Sequence, residues 1–100
     1  MKYFMGIDMG TQGARVGVFD EQGKQVADAT KGWETKYPKP AWAEQDPNVW
    51  WDCVKLALAD ASSQMSDEVK ANIATVTVDA TASTFFPVDK NINALSDAIM

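Results

Sequence analysis

Residues 5–15, MGIDMGTQGAR, place an apolar run, a carboxylate, a turn with two glycines and a new strand pattern in immediate succession. Tyr3–Met9 is short, apolar and interrupted by Gly6, which suits a buried strand better than a helix. Ala14–Asp20 (ARVGVFD) then alternates, with Ala14, Val16 and Val18 on one face and Arg15, Gly17 and Phe19 on the other. Glu21-Gln22-Gly23-Lys24 is a hairpin signal, after which Gln25–Thr30 resumes the strand pattern. Three antiparallel strands over residues 3–30 leave few folds open. They also exclude two common glycine motifs. The P-loop needs Lys-Ser/Thr after its last glycine, and the dinucleotide fingerprint needs a helix where this chain has a strand.

The rest of the chain adds a helix and a return to the sheet. Residues 31–45 (KGWETKYPKPAWAEQ) carry Pro38 and Pro40 and read as an extended loop. Asp46-Pro47 is a helix start, because Asp46 can accept from an unpaired amide and Pro47 loses no bond at the first helical position. Trp50, Cys53, Val54, Ala57, Leu58, Ala61 and Met65 then follow helical spacing on one face, with fraying expected over 62–66 and a further turn over 67–72. Ile73–Asp79 (IATVTVD) is β-branched and reads as a strand. Phe85–Asp89 reads as another, with Pro87 marking an edge or bulge, and Ala98–Met100 as the start of one more. The order β-β-β-loop-α-β predicts an α/β fold with a mixed sheet.

Bulk properties narrow the function. One hundred residues with 46% hydrophobic content suit one small domain. A net charge of −5 and no histidine argue against nucleic-acid binding, since nothing would neutralise a row of phosphates. The single cysteine, Cys53, allows no internal disulfide, fits a reducing compartment and, without histidine, makes a zinc site unsupportable. The N-terminal apolar run is too short for a signal peptide, and no stretch reaches the roughly 18 apolar residues of a membrane span. A soluble, cytoplasmic chain with no membrane partner is expected.

The chemistry concentrates in the opening stretch. Asp8 stands near the carboxyl end of the first strand, and Gly10 and Gly13 allow a tight turn that can approach a ligand without a Cβ in the way. Amides exposed by such a turn can cradle phosphate oxygens. A carboxylate beside them would repel phosphate unless a cation such as Mg²⁺ stood between, and Arg15 offers a second positive group. The same residues also read as a plain glycine-bearing hairpin with surface charges, and D-x-G-T alone does not decide between the two.

GIDMGTQGARVGVFDEQGK resembles the first phosphate motif of the actin, hexokinase and sugar-kinase superfamily, whose domains share a ribonuclease-H-like fold. AWAEQDPNVWWD, VTVDATASTFFPVD and LSDAIM are similar, in order and spacing, to successive segments of the FGGY carbohydrate kinases. The resemblance covers essentially the whole chain, as the N-terminal portion of the first domain over residues 1–100, with the second domain absent. It implies phosphoryl transfer from ATP to a sugar hydroxyl in a cleft between two domains. Asp8 would hold Mg²⁺, usually through water, Gly10, Thr11, Gln12 and Gly13 would line the phosphates, and Arg15 would approach the transferring group. Many members carry a hydroxyl residue where this chain has Gly13, so a side-chain contact is missing there.

The run Asp79-Ala80-Thr81-Ala82-Ser83-Thr84 lacks the Arg-Glu pair of glycerol kinases and the Met-His pair of xylulokinases, and is most similar to the ribulokinase type. Thr81, Ala82 and Ser83 are the implied sugar-side residues, for a ketopentose or polyol; a strand end with solvated hydroxyls is the plainer alternative. Trp50 reads as core, Trp42 and Trp51 as weak candidates for sugar stacking, and Cys53 as an inert buried thiol. The catalytic base is expected beyond residue 100, so the chain is expected to be an N-terminal fragment, inactive alone. The resemblance leaves room for a homodimer of the full-length protein. A non-catalytic nucleotide-binding or regulatory module of the same superfamily is the competing reading.

Overall fold

Asp20 organises the first reversal of the chain. Its Oδ1 accepts from the Gln22 and Lys24 amides at 2.9 Å each, and Gly23 takes the positive φ of 81° that the turn requires. The computed structural model describes residues 1–100. In chain order its elements are β1 (Tyr3–Met9), β2 (Gly13–Asp20), β3 (Gln25–Gly32), β4 (Glu44–Gln45), α1 (Pro47–Ser63), α2 (Asp67–Ala71), β5 (Ile73–Ala80) and β6 (Ala98–Ile99).

Strands β1, β2 and β3 form the expected antiparallel meander, and β5 joins β1 in parallel, so the mixed sheet runs β3-β2-β1-β5. Ala14, Val16 and Val18 of β2 are fully buried on one face, as their alternation predicts. Val16 and Val18, with Ala27 and Ala29 of β3, meet Ala57 and Ala61 of α1. Alanines on both sides let the helix lie close to the sheet, and burying each valine contributes about 1.5–3 kcal/mol. The helix begins as its sequence dictates: Asp46 Oδ1 accepts from the Asn48 amide at 2.9 Å, and Pro47 occupies the first turn. At its other end Gln64 reaches back to β3, exchanging hydrogen bonds of 3.0 and 2.6 Å with the Asp28 backbone and so pairing part of an exposed strand edge.

Helix α1 covers β2 and β3 and stops short of β5, leaving Val76 and Val78 exposed. No helix is long and apolar enough to cross a membrane. Three sequence expectations are corrected. The loop over 31–45 contains β4, which pairs antiparallel with β6. Phe85–Asp89 is not a strand: Phe85 and Val88 each make a single bridge, to Ile99 and Ala94, and Pro87 between them has no amide for a ladder. Trp50 is half-buried and stands outside the core, because it packs on Trp33 and Phe86 and not on the alanines and valines under the helix.

Candidate functional site

The turn between β1 and β2 is held from behind. The Thr11 carbonyl accepts from Gln45 Nε2 at 2.7 Å, the Gln12 carbonyl from the Trp33 amide at 3.1 Å and the Gly13 carbonyl from the Gly10 amide at 3.0 Å. Three successive carbonyls are thus occupied by the protein itself. The Thr11 and Gln12 amides donate to no group of the chain. Oriented amides of this kind form an anion-binding concavity. Gly10, Thr11, Gln12 and Gly13 line one cavity of about 310 Å³ together with Asp8, Ala14, Arg15 and Thr30.

The two glycines have different physical reasons, and neither is a positive φ, since Gly23 alone among the glycines has one. A Cβ on Gly13 would lie 2.5 Å from the Lys31 carbonyl oxygen and 2.9 Å from Gly32 Cα, so the close approach is to β3 and not to a ligand. A Cβ on Gly10 would meet only the Gly13 carbonyl oxygen, at an ordinary 3.6 Å.

The sheet brings three charged residues into one row. Asp8 is registered opposite Arg15 on β2 and opposite Asp79 on β5, so their side chains share a face. Neither carboxylate takes part in an ion pair. The Asp79 carboxyl is held above its ordinary value, first by a side-chain hydrogen bond with Asp8, then by partial desolvation and the neighbouring charge. Two adjacent carboxylates without a cation of their own are a hard oxygen donor set, and water and phosphate oxygens can complete the shell of Mg²⁺. Reading along the chain missed this pairing, because Asp8 and Asp79 become neighbours only through the parallel register.

A second cavity, of about 140 Å³, lies on the other side of Gly10. It is lined by Met9, Gly10, Trp33, Gln45, Trp50, Ala80, Thr81 and Thr84, none of them charged. Trp50 packs against Trp33 with ring centroids 6.2 Å apart and against Phe86 edge-on at 5.8 Å. The Thr81 and Thr84 hydroxyls are 3.2 Å apart. The Trp33 indole nitrogen is the one buried side-chain polar atom without a partner. Of the anticipated sugar-side residues, Thr81 therefore lines the cavity. Ala82 and Ser83 sit at the exposed tip of the following turn, where Ser83 adopts φ 61°. Trp42 and Trp51 lie elsewhere, stacked under Lys39 and Lys55. Gln45 and Thr84 lie within the segments AWAEQDPNVWWD and VTVDATASTFFPVD without a role of their own there, Trp33 gave no local signal, and only the fold joins the three.

Gly10 is common to both cavities, so an uncharged aromatic and hydroxyl-bearing space meets an amide-rich, charge-bearing one across a single residue. The chain has known relatives. The chain is 41% identical over 69 residues to a xylulose kinase of Escherichia coli, covering 68% of this chain and 14% of that protein. It is 46% identical over 61 residues to a glycerol kinase of Haloferax volcanii, covering 61% and 12%. A gluconate kinase structure from Lactobacillus acidophilus superimposes with a TM-score of 0.85 at 26% identity, covering 98% of this chain and 19% of that one. The chain thus spans a small part of each relative's length. The N-terminal domain description of the FGGY family of carbohydrate kinases matches residues 3–100, and the chain belongs to that family.

Proposed function

We propose that the complete protein transfers a phosphoryl group from ATP to a hydroxyl of a neutral sugar or polyol, and that this segment holds both substrates at their meeting point. The observation that carries this reading is the position of Gly10 between the two cavities. Phosphoryl transfer is mostly positioning and charge neutralisation, and the two cavities divide that work. The Thr11 and Gln12 amides receive phosphate oxygens, with Gly10 leaving the turn bare and Gly13 letting it lie against β3. Arg15, one strand away in register with Asp8, neutralises the group being transferred.

Asp8, with Asp79 beside it, is the residue that would hold Mg²⁺. When bound, that ion neutralises phosphate charge next to the two carboxylates. The carboxylates keep their negative charge off the phosphates only in that company, which is why the pair and the amide turn belong to one site.

The sugar lies in the uncharged cavity, its carbon chain against the Trp33 and Trp50 rings and its hydroxyls on Thr81 and Thr84, with Ala82 and Ser83 closing from the turn above. An uncharged lining favours a neutral ligand over a sugar acid. The small, hydroxyl-rich run Asp79–Thr84 supports a ketopentose or polyol of the ribulokinase type. No carboxylate lines this cavity, so the base that takes the hydroxyl proton is assigned to the rest of the protein. A purely regulatory nucleotide-binding module would have no use for this second cavity.

The test is turnover of D-ribulose, D-xylulose, ribitol, glycerol and gluconate by the complete protein with Mg-ATP. A neutral ketopentose or polyol is expected to be phosphorylated, with gluconate the poorest of the panel. No turnover on any of them contradicts the assignment.

A further inference from the structure

Gln45 is the largest fully buried polar side chain, 2% exposed, and its amide is engaged on both ends. Nε2 donates to the Thr11 carbonyl and to Thr35 Oγ1, each at 2.7 Å, while Oε1 accepts from Trp50 Nε1 at 2.9 Å. Its backbone is fixed as well, because Gln45 pairs with Ala98 in the β4–β6 ladder and the next residue caps α1. One rigidly held primary amide therefore joins the back of the phosphate turn to the wall of the sugar cavity. A side chain needed only to fill this space could be apolar, and burying an amide is tolerated only when its donors and acceptor are all met. The bonds it makes are divided between the two substrate regions.

We infer that Gln45 is a positioning residue that sets the phosphate turn and the sugar cavity in register with each other. This rests on the kinase reading above. The Thr11 carbonyl cannot swing toward the ligand while Gln45 holds it, so the Thr11 and Gln12 amides stay presented. The Trp50 indole cannot turn into the cavity while Oε1 holds its N–H. Neither arm touches a reacting atom, so loss of Gln45 acts on how substrates sit and not on a chemical group.

The two arms can be cut separately in the complete protein. Gln45→Glu keeps the oxygen that accepts from Trp50 and removes the donors to Thr11 and Thr35, so the KM for Mg-ATP should rise by a few-fold to about tenfold while the sugar KM moves little. Trp50→Phe removes the N–H of the other arm together with part of the ring that faces the sugar, and should raise the sugar KM by at least a similar factor with little change for Mg-ATP. Gln45→Met cuts both bonds while leaving the Trp50 ring in place, and should raise both KM values. A purely structural role of Gln45 would lower the Tm of the two Gln45 variants and leave both KM values of the folded enzyme unchanged. That result, or a Gln45→Met enzyme whose sugar KM equals that of wild type, overturns the inference while leaving the kinase reading intact. Wild-type protein that phosphorylates no sugar on the panel overturns both.

Discussion

The two sides of Gly10 are built on opposite principles. The proposed phosphate side is backbone: a turn with its carbonyls held from behind, its amides free, and one row of charges along the sheet. The proposed sugar side is side chain: two indoles, two hydroxyls and a buried glutamine drawn from residues 33 to 84. A backbone nest accepts any phosphate and carries little selectivity, whereas a side-chain cavity can be re-lined to suit a new ligand. The difference teaches where change is tolerated. Substitutions on the first side should disable the reaction in general, and substitutions on the second should alter which sugar is used.

The largest expected effect is on the phosphate side. Asp8→Asn in the complete protein should lower kcat by about 10²–10³, while polyol binding, followed by quenching of tryptophan fluorescence, stays largely intact. Loss of polyol binding in that variant would break the proposed division between the two sides. Next come the glycines of the turn. Gly13→Ala must push β3 aside, because its Cβ would lie 2.5 Å from the Lys31 carbonyl oxygen, and should cost about 1–3 kcal/mol or more in chemical denaturation. Gly10→Ala meets only an ordinary contact and should change stability by less than about 1 kcal/mol. It should instead weaken Mg-ATP or sugar, since its Cβ would enter the space between them. Equal destabilisation by both variants would contradict the account of the turn.

How much of this was legible in the sequence follows the same division. Asp8, the glycine turn and Arg15 are neighbours along the chain, so local pattern was enough to place them together, and the alternation of Ala14, Val16 and Val18 fixed which face was core. The reason for Gly13 was not legible, because the atom it avoids belongs to Lys31 on another strand. Trp50 reads as core by helical spacing alone, but spacing does not say where the sheet beneath a helix ends. Gln45 belongs to a segment that resembles the family, but nothing local marks it as buried until β6 pairs with its strand. Asp79 becomes a partner of Asp8 only through a parallel register that no local signal encodes.

A smaller effect concerns that carboxylate pair. An acid whose folded value is raised binds its proton more tightly when folded, so its stabilising effect is complete at low pH and is lost as pH rises through the raised value. Asp79→Asn should therefore raise Tm relative to wild type at neutral pH, and the gap should close as pH falls through the ordinary carboxylate range. Millimolar Mg²⁺ should narrow the gap at neutral pH by screening the wild-type pair. A gap that is constant with pH would remove the electrostatic reading of Asp8 and Asp79.

The central claim is that phosphate and sugar meet across Gly10. It is tested most directly by a crystal structure of the complete protein with Mg²⁺, a non-hydrolysable ATP analogue and D-ribulose or ribitol. The account predicts terminal phosphate oxygens within hydrogen-bonding distance of the Thr11 and Gln12 amides, and the sugar between Trp50 and the Thr81–Thr84 hydroxyls. Phosphates bound away from this turn, or a sugar outside the cavity lined by Trp33, Gln45 and Trp50, would contradict it.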